Sequence, residues 1–89
     1  MPTIAWFYGI AIRMYYNEHN PPHFHARYGS AKAMIRIADA AVIGGELPRT
    51  ATRMVQEWAI IHRQELEANW ERGRSDAPFE KIAGPDEDR

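Results

Sequence analysis

Apolar and polar residues alternate in short runs through the first half of the chain, and a helical stripe runs through the second. Thr3–Tyr8 is apolar and aromatic, and Gly9 offers a tight bend before a second run, Ile10–Tyr16. In that run Ile10, Ile12, Met14 and Tyr16 alternate with Ala11, Arg13 and Tyr15, the pattern of a strand with one face to a core. Asn17 to Pro22 reads as a loop, because consecutive prolines remove backbone donors and fix φ. His23–Tyr28 resumes the alternation, Gly29-Ser30 marks a hairpin turn, and Lys32–Ile37 is the return strand. Ala41–Ile43 adds a short edge strand that ends at Gly44-Gly45, read as a turn.

From Pro48 to about Arg72 no glycine or proline interrupts the chain, which predicts one long helix. At about 100° per residue, Leu47, Ala51, Met54, Val55, Trp58, Ile61, His62 and Leu66 share one stripe. Such a helix covers one face of the sheet and leaves the other open. Gly73 reads as its C-terminal cap, and Ser75–Arg89 as a loosely docked tail anchored by Phe79 and Ile82. The expected fold is therefore α+β: an antiparallel sheet of three to five strands under one long C-terminal helix. Residues 1–83 form the single domain and 84–89 an acidic flexible tail.

Alternation has a consequence for the open face. If Phe24, Ala26 and Tyr28 turn toward the helix, then His23, His25 and Arg27 turn away from it. Neighbouring strands send Arg13, Tyr15, Lys32 and Arg36 to that same side. A slip of one residue would bury the whole set.

Composition narrows the class of protein. The hydrophobic fraction of 45% and charged fraction of 26% are ordinary for a globular domain. The absence of cysteine removes disulfides, thiol catalysis and sulfur-based zinc sites, so a domain of 89 residues must rely on packing. With no signal-like leader and no long apolar run, the sequence predicts a cytoplasmic protein without a membrane partner. The net charge of −1 argues against a strongly nucleic-acid-binding surface overall. Residues 1–45, however, carry Arg13, Arg27, Lys32 and Arg36 against only Glu18 and Asp39, which leaves room for a local anion-binding patch.

The chemically dense segment is His19-Asn20-Pro21-Pro22-His23-Phe24-His25-Ala26, which holds three of the four histidines. Imidazole suits divalent metals and proton transfer near neutral pH. His23 and His25, two apart on a strand, share a face, and the Pro-Pro turn can bring His19 back as a third nitrogen, an open zinc-type set. Equally, Arg13, Arg27 and Arg36 beside these histidines suit phosphate or RNA, with His23 or His25 as acid or base. The plainest alternative is that the histidines are strand and turn residues satisfied by backbone and water. His62, alone on the apolar stripe, reads as a hydrogen-bonded core residue. Among the aromatics, Trp6, Phe7, Tyr8, Tyr15 and Tyr16 can supply both core and a base-stacking surface.

The strings Phe7-Tyr8-Gly9-Ile10, Ile12-Arg13-Met14-Tyr15 and His19-Asn20-Pro21-Pro22-His23-Phe24-His25-Ala26 resemble a small bacterial domain-of-unknown-function family, numbered 4160. Gly45-Glu46-Leu47-Pro48-Arg49, Glu57-Trp58 and Glu65-Leu66-Glu67-Ala68-Asn69-Trp70 extend the resemblance over roughly residues 2–83. It implies a prokaryotic accessory protein whose gene lies beside a second short reading frame, as in a toxin–antitoxin-like or regulatory pair, with a small protein partner. His23-Phe24-His25-Ala26-Arg27 is also similar to the histidine strand of small mRNA-cleaving toxins with a double-stranded-RNA-binding fold. The expectation is thus an RNA- or partner-contacting histidine and arginine face. A metal-binding domain built on His19, His23 and His25, and a non-enzymatic interaction module, are the alternatives.

Overall fold

The computed structural model describes residues 2–86. Strands β1 (Thr3–Phe7), β2 (Ile10–Arg13), β3 (His23–Tyr28), β4 (Ala31–Arg36) and β5 (Val42–Glu46) precede helices α1 (Arg49–Ile61) and α2 (Arg63–Arg74). The strands pair antiparallel in their order along the chain, giving a five-stranded meander. The fold is α+β, at the upper end of the expected strand number. Among the described residues no helix is long and apolar enough to cross a membrane.

The hairpins follow from their turns. Tyr8 and Gly9 both take positive φ, 53° and 79°, as a two-residue turn matched to strand twist requires. β3 pairs β4 from His23 opposite Arg36 to Tyr28 opposite Ala31, with Gly29 and Ser30 between. The second strand ends at Arg13 rather than Tyr16, because Tyr15 and Tyr16 leave the sheet to join the loop. Gly44 and Gly45, expected as a turn, lie inside β5 instead. There the pairing with β4 shifts register between Met34 and Ile35, and Gly45 takes a φ of +69°.

Ile4, Phe7, Ile10, Ile12, Phe24 and Ile35 form the covered sheet face, and Val55, Trp58 and Leu66 close over it. Trp58 is 1% exposed, with its ring 5.1 Å from Phe7 and 5.9 Å from Phe24. The helix expected as one rod from Pro48 to Arg72 is two helices, divided at His62 (φ −103°, ψ 22°). No glycine or proline marks the division. The cause is packing: Trp58 and Trp70 are both buried, yet on one straight helix they would point roughly 120° apart. The change of direction lets each reach its pocket, and it leaves Ile61, expected on the buried stripe, 73% exposed. His62 itself is a buried core residue, against Trp58 and with Nδ1 2.5 Å from Glu65 Oε1.

Residues 75–86 return across the domain as a strap. Asn69, fully buried, donates from Nδ2 to the Glu80 carbonyl and accepts the Glu80 N–H, at 2.8 and 2.9 Å. Trp58 Nε1 donates to the Ala83 carbonyl, and the Ile82 N–H to the Ile4 carbonyl, both at 2.8 Å. Phe79 and Ile82 are the expected anchors, but the strap is held more firmly than a loosely docked tail. Gly84 is buried, and residues 87–89 of the expected acidic tail lie outside the described residues. Gly73, expected as a helix cap, lies inside α2, where an added Cβ would come within 3.0 Å of the Phe79 ring; Ser75 is the cap.

Because Trp58 joins sheet, helix and strap, Trp58→Ala is expected to cost about 3–5 kcal/mol of unfolding free energy. Urea denaturation measures this, and a loss below about 1 kcal/mol would show that Trp58 does not hold the layers together.

Candidate functional site on the open sheet face

Register fixes which side chains share the open face. One row across the sheet runs Trp6, Ala11, Arg27, Lys32 and Glu46, and the next runs Thr3, Arg13, His25, Met34 and Gly44. His23 lies opposite Arg36 in a third row. The expected gathering of Arg13, His25, Arg27 and Lys32 on one side is what the pairing produces. Between these rows is a depression of about 290 Å³, lined by Arg13, Tyr15, His25, Arg27, Lys32 and Met34. Gly44 and Gly45 border it without side chains to fill it.

Arg13 Nε is buried and has no hydrogen-bond partner; among the described residues Trp70 Nε1 is the other such group. Arg27 Nε donates to the Gly29 carbonyl at 3.0 Å. No ion pair engages Arg13, Arg27 or Lys32 among the described residues. Trp6, at the head of the Arg27 row, is 63% exposed.

Arg36 stands apart from the other two arginines. Its Nε and Nη2 donate to the two carboxylate oxygens of Asp39, at 2.9 and 2.8 Å. The sequence signal was present, since Asp39 follows three residues later across the turn. These bonds from Arg36, with a further one from the Ala41 N–H, hold the Asp39 carboxyl down at about 2, and Arg36 is raised above its ordinary value. A guanidinium clasped by its own carboxylate offers little net charge to an anion.

The histidines divide in the same way. His23 keeps the expected side of the strand but is only 4% exposed, because the Trp70 ring lies 5.5 Å away and Glu18 covers it. His25 is partly exposed, with the Tyr15 ring edge-on at 4.7 Å. Glu18 reaches back from the loop so that Oε1 lies 2.8 Å from His25 Nε2 and Oε2 lies 3.3 Å from His23 Nε2. His19 is exposed and is not brought to this group; Glu18, one residue earlier, stands where a third histidine was expected.

Distant segments hold the loop in place. The Asn17 N–H donates to the Gly73 carbonyl in α2 at 3.3 Å, and Tyr16 stacks on Phe79 of the strap at 4.5 Å. Glycine at 73 permits this close approach, since any side chain would meet Phe79. Glu18 therefore depends on contacts made by residues more than fifty positions downstream.

The model of a domain of unknown function, DUF4160, matches residues 9–71. The chain belongs to this family. The matched segment of the DUF4160 domain runs from the β1–β2 turn into α2, and so contains Glu18, both strand histidines, Arg13, Arg27 and Lys32. No curated protein and no solved structure matches the chain.

Chemically, the face of this DUF4160 domain offers two things. Arg13, Arg27 and Lys32 around a depression can meet an anion. Glu18 and His25 can act as an oriented proton-transfer pair, or, with His23, as three metal ligands. A nitrogen lone pair can hold a proton or a metal but not both at once, so these two roles of His25 exclude each other.

The Arg36–Asp39 clasp has a defined pH window. A carboxyl held below its ordinary value of 3.8 contributes stability above that pH, and the contribution is lost as pH falls toward about 2. A carboxyl NMR titration should place the Asp39 midpoint at about 2; a midpoint at the ordinary value would mean that the clasp does not persist in solution.

Proposed function

We propose that this domain is a small prokaryotic accessory protein whose open sheet face contacts RNA. The observation that carries the reading is the row Trp6, Ala11, Arg27, Lys32, with an exposed indole at one end and two cations further along, beside Arg13. Single-stranded RNA is bound by this combination: aromatic faces stack on bases while cations follow the phosphates. Arg13 supports it, because it lines the depression and no ion pair engages it among the described residues. Composition suggests a cytoplasmic setting, and the family resemblance adds a small partner encoded nearby, with this domain as the toxin-like or regulatory half of a two-gene module.

Of the two strand histidines, His25 is the one that lines the depression; His23 is buried, with Nδ1 engaged by the Pro21 carbonyl. Arg13 and Arg27 carry the phosphate contacts in this reading, and Arg36 contributes less because Asp39 holds it.

With three cations available and about 0.7 counterions released per phosphate met on a single strand, affinity should fall with salt at a log–log slope near −2. Arg27→Ala should make the slope shallower by about 0.7, and Trp6→Ala should weaken binding by about 1–3 kcal/mol with the slope unchanged. Fluorescence anisotropy with a labelled single-stranded oligoribonucleotide measures both. Absence of binding at low salt, or a slope indifferent to Arg27, would move the reading to a protein-docking face.

A further inference from the structure

We propose that Glu18, His23 and His25 form a binding site for one divalent transition-metal ion of the zinc class. The argument starts from where the hydrogens must be. His23 Nδ1 lies 2.7 Å from the Pro21 carbonyl oxygen, which can only accept, so Nδ1 carries a hydrogen. In the neutral ring Nε2 then presents a lone pair, and it faces Glu18 Oε2 at 3.3 Å, an atom that also offers only lone pairs. Such a contact is repulsive unless a positive charge is shared across it. A divalent ion is one such charge, and the His23 and His25 rings, with centres 5.1 Å apart, lie close enough to share it. One divalent ion satisfies all three side chains together.

The distances agree. One ligand atom from each residue lies within 4.8 Å of the others. Metal–ligand bonds of about 2.0–2.1 Å in a tetrahedron place neighbouring ligand atoms roughly 3.3 Å apart, close to the separation of His23 Nε2 and Glu18 Oε2. The surroundings are those of a ligand site as well. A backbone carbonyl fixes the tautomer and ring plane of His23, and Tyr15 packs edge-on against His25. Glu18 is held by its loop's contacts with α2 and the strap, so little ordering remains to be done when an ion enters.

Two imidazole nitrogens and one carboxylate favour zinc and its first-row neighbours over calcium or magnesium, which take mainly oxygen. The His23 side chain is 5% exposed, whereas those of Glu18 and His25 are 24% and 26% exposed. The ion would thus be closed in on one side and reached from solvent on the other, with a coordination position left for water or a ligand. The inference stands on the loop and β3, and it does not require RNA to bind the face.

Zinc titration of the full chain without a histidine tag, followed by competition with a chromophoric chelator, tests it. One ion per chain is expected. Glu18→Gln, which keeps the shape and removes the charge, and His25→Ala should each weaken binding at least about tenfold, while His19→Ala should leave it unchanged. Thermal unfolding in chelator confirms that each variant is folded. Cobalt(II) absorption of the unaltered protein gives a reading that needs no variant: intense visible bands of a four-coordinate site are expected. Failure to bind zinc, binding indifferent to Glu18→Gln, or binding lost in His19→Ala would overturn the proposal.

Discussion

β3 lies at the centre of the sheet, and its two faces are committed to different tasks. Phe24 and Ala26 point into the core, where Phe24 meets Trp58. His23 and His25 point the other way, under the carboxylate of Glu18. Burying a side chain such as Phe24 contributes about 1.5–3 kcal/mol, and a slip of one residue would exchange the two sets. The apolar face thereby locks the register on which the chemistry of the polar face depends. Core packing and site geometry are one constraint seen from two sides.

The second half of the chain completes the site without lining its depression. α2 brings Trp70 over His23, and its last turn receives the Asn17 N–H. The strap, fastened through Asn69 and Trp58, places Phe79 beneath Tyr16. The loop that carries Glu18 is therefore clamped between β2, α2 and the strap. The strap also reaches the sheet, where the Ile82 N–H donates to the Ile4 carbonyl of β1.

Much of this was legible in the residues. Period-two alternation located β3 with its ends correct and sent Arg13, His25, Arg27 and Lys32 to one face, because the rule is local and β3 has partners on both edges. The helix division at His62 left no local mark; it reflects where Trp58 and Trp70 must go, which is a property of the assembled layers. The choice of Glu18 over His19 was equally hidden. Adjacent loop residues point in different directions, and the direction here is set by Gly73 and Phe79, far along the chain. Arg36 belonged to the basic face by alternation, yet the chelating Asp39 three residues on was a readable sign that it would be held locally.

The sheet face thus joins a cationic, aromatic surface to a cluster of ligand-type side chains, with His25 at the boundary of the two. Whether that cluster is built around an ion decides how His25 can act, because a metal on Nε2 removes it from proton transfer. The most direct measurement is a crystal structure of the protein grown with zinc, with diffraction recorded on either side of the zinc absorption edge. The account predicts one anomalous peak per chain, bonded to Glu18, His23 Nε2 and His25 Nε2, with His19 remote from it. A peak ligated by His19 instead of Glu18, or no peak near β3, would contradict it.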